Sequence, residues 1–513
     1  MAAGGTDMST GGSGGGGDEG RGLGTGAWAE RLHQRISDWP TDDSGFHLPV
    51  SQDDLAAWCE DELQDRIRFI PEWRRFVVRD ETTLIWDSSE RAHTRAGQLV
   101  LRMIRQLGND MNLRRGAYIG LKSYATHRAV MAMLSEREVL VRGLDDWDRD
   151  PDVMQTPGGV AELASATLRD NTLADFMLNC TQVTPDFTGA VTGSMTGMTA
   201  IETIMGTAFA GVPEQQDYLW SELGASMAGG NPEQAIRWAI GASKSGKTTI
   251  MMALVDALGS YAMVCPSNLV VPGSEPLSSL HKRATMAQLA RVRFALVDEV
   301  NRQGQMDVVL LKQMANGTRQ PTEEKFQRMR SAVVKVNVWV VSNNVPERLR
   351  GSEDGIERRL RVVEWDGAPA KADFTLAERV RLEAPALLGR CLLEARNWYL
   401  FGSRPMPDSS RAIVRGITEE THLIPAWFDE CWEVTANQHD KVWSCDLWHH
   451  FANKWWPQQD AAKSLRTLVL PVTEIDFMRK VKRLITVDHR GLWAEKLDIK
   501  GVRKNGYRGL KQK

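Results

Sequence analysis

Residues 241–248 read Gly-Ala-Ser-Lys-Ser-Gly-Lys-Thr, a complete G-x-x-x-x-G-K-[ST] phosphate-binding loop. Such a loop works only as a turn from a buried strand into a helix, so it dictates what must surround it. Both flanks comply: Ile236 to Ile240 is a short apolar run, and Thr249 to Leu258 is helix-like. Gly241 and Gly246 let the backbone curl so that consecutive N–H groups face a phosphate chain, with the partial positive charge of a helix N-terminus behind them. Lys247 then reaches the β- and γ-phosphates, and the Thr248 hydroxyl ligates Mg²⁺. The expected ATP-binding set is Gly241, Ala242, Ser243, Lys244, Ser245, Gly246, Lys247, Thr248 and Thr249.

At 513 residues the chain is long enough for two to four domains. Nothing resembles a signal peptide, and no apolar run approaches the ~20 residues needed to span a bilayer, so a cytoplasmic protein is expected. Six scattered cysteines without a C-x-x-C pair fit reduced thiols, and Cys431, Cys445, His449 and His450 match no familiar zinc spacing. The net charge of −3 hides an asymmetry. From Phe477 onward there are twelve Lys or Arg against three acids, a local +9 on a body carrying −12. A basic end on an acidic body points to a local nucleic-acid contact, against the plainer alternative of a solvated tail.

Residues 1–26 are Gly-rich with almost nothing apolar to bury, and a disordered tail is expected there. Residues 27–225 are read as a mainly helical domain, with helical periodicity at Leu55 to Leu63, Arg91 to Leu107 and Tyr124 to Leu140. Phe76 to Trp86 instead reads as a hairpin, and residues 183–200 as a long loop. Residues 226–370 alternate strands and helices, as an α/β nucleotide domain requires. A helical connector follows over 371–423, with Leu376 to Tyr399 helical and a proline-marked turn at Ser403 to Asp408. A small basic domain over 424–513 is expected to end in a two-stranded wing built from Thr486 to Trp493 and Asp498 to Leu510.

Behind the phosphate loop stands a constellation of polar strand ends. Phe294 to Val297 is an apolar strand running into Asp298-Glu299. An Asp there holds Mg²⁺ with Thr248, and the adjacent Glu deprotonates the attacking water. Val336 to Val341 ends in Ser342-Asn343-Asn344, and Asn343 is the expected γ-phosphate sensor. Arg358 and Arg359, just before the last strand, are both candidates for a finger reaching a neighbouring subunit's nucleotide. Spacing does not decide between them. The expected catalytic set is thus Lys247, Asp298, Glu299, Asn343, Arg358 and Arg359.

Taken together, these residues resemble the superfamily-3 helicase domain of phage, plasmid and poxvirus-type primase-helicases, an AAA+-like ATPase. Leu311 to Gly317 is similar to that family's segment after the acidic strand, and Ser342 to Pro346 to its sensor strand. Arg358-Arg359-Leu360 with Glu364-Trp365 is similar to its closing motif, with Trp where Phe is usual. Pro157 to Leu163 resembles a turn of the preceding helical domain, and Gly501 to Leu510 its terminal winged-helix wing. The resemblance implies a P-loop AAA+-like fold with a winged-helix-like end, and a homo-oligomeric ring, a hexamer, that moves 3′ to 5′ on single-stranded or forked DNA. It implies ATP bound between subunits and a role in replicating a phage or mobile element in a bacterial cytoplasm. It places a DNA-gripping hairpin near Glu324 to Lys335, with Lys325, Arg328 and Arg330 on phosphates. The chain carries only the Gly-rich tail where many relatives have a primase domain, so any primase is expected to be a separate partner. The alternative that the same motifs serve is an initiator or loader ATPase that remodels DNA without processive unwinding.

Overall fold

The computed structural model describes residues 27–188, 197–271, 277–298, 305–323, 329–343, 348–350, 356–365, 367–368, 373, 375–435, 437, 439–458, 474, 477–478, 481, 493–499 and 502–513. The expected tail over 1–26, Glu299, Lys325 and Arg328 lie outside them. Contacts divide the chain into two units. One comprises residues 1–150, 157–160 and 169–180, and the other residues 151–156, 161–168 and 181–513.

The first unit packs helices Gln52–Leu63, Glu90–Asp110 and Tyr124–Leu134 around an apolar core that includes Leu55, Val100, Ile104 and Leu134. Ser51 and Ser123 cap two of these helices, their side-chain oxygens accepting from Asp54 N and Thr126 N. The hairpin expected at Phe76 to Trp86 is present, and a strand Ile67–Ile70 extends it to a three-stranded antiparallel sheet. The helix expected over Tyr124 to Leu140 ends at Leu134. Beyond it Arg137 turns out to Asp53 at 2.5 Å. The chain then bonds the edge of the sheet, Phe69 N donating to Leu140 O at 2.7 Å. Apolar spacing alone did not show that Leu140 is buried by this strand-like contact.

The second unit is built on a five-stranded parallel sheet: β1 (Ile236–Gly241), β2 (Ala262–Cys265), β3 (Phe294–Val297), β4 (Asn337–Ser342) and β5 (Leu360–Trp365), in the order β5-β1-β4-β3-β2. Strands buried on both faces read as continuous apolar runs, which is why Phe294 to Val297 and Val338 to Val341 carry no alternation. In this order β1 joins the two halves of the sheet. The chain leaves β1 for the far edge and returns to add β5 on its other side. Ligands of open parallel sheets bind beyond the carboxyl ends of the strands at such a reversal.

One charge interrupts the run in β1. Arg237 is 1% exposed and pairs through Nε with Glu222 Oε2 at 2.7 Å, itself fully buried in the helix Pro213–Ala225. Arg237 Nη1 also donates to Asn337 Oδ1 at 2.9 Å, and Asn337 Nδ2 donates to the Ser226 and Ala228 carbonyls at 3.1 and 3.0 Å. The network fastens the helix that precedes the sheet to its two central strands.

The helix expected over Leu376 to Tyr399 is two, Leu376–Leu382 and Ala384–Phe401, with Pro385 in the first turn of the second. Proline lacks an N–H and fits a helix start, so the break falls just before it. Glu383, at the break, accepts from Ala200 N and Ile201 N at 2.7 and 2.9 Å, closing the open N-terminus of the helix Thr199–Ala208. The C-terminal segment gathers Trp427, Phe451, Phe477 and Tyr507 into its own apolar cluster. Of the two strands expected at Thr486 to Trp493 and Asp498 to Leu510, residues 486–492 lie outside the described residues; Trp493–Ile499 pairs antiparallel with Val502–Arg508, which also pairs with Lys441–Trp443. The third strand draws Tyr507 into the core opposite Val442, and no local pattern reveals that pairing. Among the described residues no helix is long and apolar enough to cross a membrane.

Removing one partner of a buried pair leaves an uncompensated charge. Glu222→Ala is expected to cost about 3–5 kcal/mol of stability by urea unfolding. The double variant Glu222→Leu with Arg237→Met recovers most of that loss.

Candidate nucleotide site at the carboxyl edge of the sheet

Parallel register decides which residues meet. Ile240 on β1 lies opposite Ser342 on β4 and Glu364 on β5, and Val297 on β3 lies opposite Val340. The residues that follow these strands, Ala242, Asp298 and Asn343, therefore emerge along one edge. The indole N–H of Trp238 donates to Ser342 Oγ at 2.9 Å and holds β1 and β4 in this alignment.

The loop takes the shape its glycines allow. Gly241 has φ +152°, and a Cβ there would sit 1.8 Å from the Trp365 carbonyl oxygen. Gly246 has φ +91° and closes against Ile204, where a Cβ would lie 2.4 Å from Cγ2. Lys244 adopts φ +64°, a left-handed conformation unusual for a residue with a side chain. These conformations curve the backbone of 241–246 into a concave turn opening at the start of the helix Lys247–Leu258.

Lys247 is 4% exposed. Its Nζ donates to Gly241 O at 2.8 Å, Ala242 O at 2.7 Å and Ser245 Oγ at 3.1 Å, and Asn343 Oδ1 lies 3.5 Å away. Among the described residues no carboxylate forms an ion pair with it. Burial therefore pushes its ammonium down to about 8, an effect Asp298 offsets only in part. An ammonium held by neutral carbonyl and hydroxyl oxygens is poised to exchange them for an anion.

Thr248 Oγ1 donates to Asp298 Oδ1 at 3.1 Å. A hydroxyl and a carboxylate side by side are hard oxygen donors of the kind Mg²⁺ accepts, so the residues present fit that ion. Bound there, it would supply positive charge to phosphate oxygens.

The remaining candidates lie elsewhere. Arg358 and Arg359 precede β5, whose first residue, Leu360, pairs with Ile236 at the start of β1. Both therefore stand at the opposite edge of the sheet, about 20 Å from the loop along the strand. Arg358 is exposed. Arg359 is buried, its Nε donating to Asn316 Oδ1 at 3.1 Å and its Nη2 to Gln234 Oε1 at 3.4 Å. Burial and the neighbouring Arg358 hold its guanidinium below the usual arginine range. The hairpin ahead of β4 is formed by Thr318–Thr322 and Arg330–Val334, with exposed Arg330 opposite Thr322. Sequence reasoning missed two supports: Ile204 beneath Gly246 and Trp238 across β1 and β4. Their partners are distant in sequence, so no motif marks them.

Residues 56–209 match the D5 N terminal like family. That region is under a third of the chain and ends before the phosphate loop. Three solved structures of the NrS-1 C-terminal region are similar. The A form apo structure is 11% identical, covers 86% of this chain and 95% of that one, and gives a TM-score of 0.41. The apo structure of its residues 305–718 is 11% identical with 87% and 96% coverage and a TM-score of 0.42. An A form apo structure of the same residues is 10% identical with 88% and 99% coverage and a TM-score of 0.42. No curated protein matches the chain.

The lowered Lys247 titration fixes a sign. Unfolding returns the group from about 8 to its ordinary 10.5, so between these values the unfolded chain binds more protons. This lysine therefore favours the folded state increasingly as pH rises through that window. Urea midpoints at pH 7.5 and 9.5 are expected to show the wild type gaining on Lys247→Met at the higher pH.

Proposed function

We propose that this chain is an ATP hydrolase that drives a DNA helicase, working as a ring that moves along single-stranded DNA. The observation that carries the reading is the convergence of Lys247, Thr248, Asp298 and Asn343, from three neighbouring strand ends, at one phosphate-shaped turn. The match of residues 56–209 to the D5 N terminal like family supports it.

In this reading the N–H groups of 242–249 and the Lys247 ammonium bind the triphosphate, and Thr248 and Asp298 hold Mg²⁺. Asn343 orients the γ-phosphate. Glu299, next to Asp298 in sequence, takes the proton of the attacking water. The loop's own subunit offers no arginine from the segment before β5, because Arg358 and Arg359 stand at the far edge. A finger from that segment must act on a neighbour's nucleotide, which requires an oligomer. Arg359 is engaged by Asn316 and Gln234, so the exposed Arg358 takes that role. Arg330 on the hairpin before β4, with Lys325 and Arg328 just ahead of it in sequence, grips the DNA backbone, a contact sensitive to salt and indifferent to sequence. The winged-helix-like end, the hexamer, the 3′ to 5′ direction, the separate primase and the role in phage replication belong to the same proposal.

The test is ATP-dependent unwinding of a forked DNA with a 3′ tail. Lys247→Ala is expected to lose both turnover and unwinding. Turnover without strand separation by the native chain would replace the helicase with an initiator or loader. Arg358→Ala is expected to lose hydrolysis while its thermal midpoint holds, whereas Arg359→Ala lowers that midpoint. Mixing Arg358→Ala with Glu299→Gln restores part of the hydrolysis if sites are shared between subunits, and none if they are not.

A further inference from the structure

The first unit carries a surface that contains none of the residues of the candidate nucleotide site. Helix Arg115–Leu121 is joined to helix Tyr124–Leu134 by a two-residue turn, Lys122-Ser123. From Met111 to Ser135 the sequence contains Arg114, Arg115, Lys122 and Arg128 and no Asp or Glu. Large apolar and aromatic side chains stand out among these cations. Tyr124 is 75% exposed, Ile119 59% and Tyr118 37%. The guanidinium of Arg128 lies 5.8 Å from the Tyr124 ring centroid, one helical turn along, and Lys122 Nζ lies 4.0 Å from that of Tyr118.

We infer that these two helices form a binding surface for single-stranded nucleic acid, with phosphates on Arg115, Lys122 and Arg128 and unpaired bases on Tyr118 and Tyr124. Three observations favour this occupant. A buried structural role is excluded, because the rings face solvent. Among the described residues only Arg114 of the four cations has a carboxylate partner, Asp42 at 2.6 Å, and Lys122 Nζ donates to the neutral oxygens Asn109 Oδ1 at 2.5 Å and Tyr118 Oη, so the positive charge of Arg115, Lys122 and Arg128 is not neutralised by an acid. Gly116 and Gly120 have nothing within 4 Å of where a Cβ would stand, leaving bare helix backbone open to close approach. Exposed tyrosines beside cations whose charge no carboxylate neutralises offer a stacking face with phosphate neutralisation, the combination that single strands require.

The surface is distinct from the hairpin before β4, and its test does not depend on ATP. The full chain is titrated without nucleotide against a fluorescent oligo-dT and against a duplex of equal length, by anisotropy over a range of salt. The variants are Arg115→Glu with Arg128→Glu, Tyr124→Ala, and Arg330→Ala on the hairpin as a separate arm. The charge reversal is expected to weaken oligo-dT binding at least tenfold and to flatten its log–log salt dependence by about 0.7 for each phosphate no longer neutralised. Tyr124→Ala is expected to weaken it about tenfold with an unchanged salt slope, and the Arg330 variant must leave both of these effects in place. Thermal midpoints and DNA-free ATP turnover of the charge reversal and of Tyr124→Ala should match the wild type, since Arg115, Tyr124 and Arg128 are exposed. Undiminished oligo-dT binding by both surface variants overturns the inference, as does a wild type that binds no single strand at low salt. A fall in oligomeric mass with oligo-dT binding intact also overturns it, making the surface an interface between copies of the chain.

Discussion

The buried ammonium of Lys247 is the constraint on which the edge of the parallel sheet depends. A lysine that is almost fully enclosed must be satisfied, and three oxygens from its own loop do so. Two are backbone carbonyls, so the loop must bend back over the side chain. That bend needs the left-handed conformation of Gly246, and it needs Gly241 pressed against β5, where any side chain would strike the Trp365 carbonyl. Strand order, glycine placement and the lowered Lys247 titration are therefore consequences of one arrangement.

The same logic recurs at the other end of the sheet. Arg237 interrupts an apolar strand and is tolerated because Glu222, Asn337 and Glu233 surround it. Such a network adds little net stability compared with apolar packing, but it is intolerant of partial loss. Its members come from the preceding helix, β1 and β4, so it sets how the helix meets the sheet. Trp339, whose indole N–H reaches Ser226 Oγ at 2.8 Å, extends the same network. Arg359 belongs to this edge too, which is why two adjacent arginines of equal appearance in the sequence have different surroundings.

Much of the architecture was legible along the chain. The glycine-rich turn and the apolar strands ending in Asp298 and Asn343 follow from local pattern, because each is a strand end or turn with its own chemistry; the hairpin ahead of β4 came from the family resemblance, and its first strand, Thr318–Thr322, lies before the segment expected near Glu324 to Lys335. The differences from the sequence reading have two causes. The helix that stops at Leu134 and the pairing of the C-terminal strands were decided by partners remote in sequence, the edge at Phe69 and the strand at Lys441–Trp443, whereas the helix break at Glu383 follows from Pro385 beside it. Apolar periodicity reports that a residue will be buried and says nothing about what buries it.

By itself the sequence determined that a phosphate loop exists, which residue types it offers and where the acidic and amide strand ends lie, because those depend on backbone conformation over a few residues. Only the tertiary structure decided that Asp298 comes within 3.1 Å of Thr248, that Asn343 faces Lys247, and that Arg359 is turned inward while Arg358 is exposed. The physical reason is that a parallel sheet assembles strands far apart in the chain. Their order and register, fixed by burial on both faces, set the distances between side chains that no spacing along the sequence encodes.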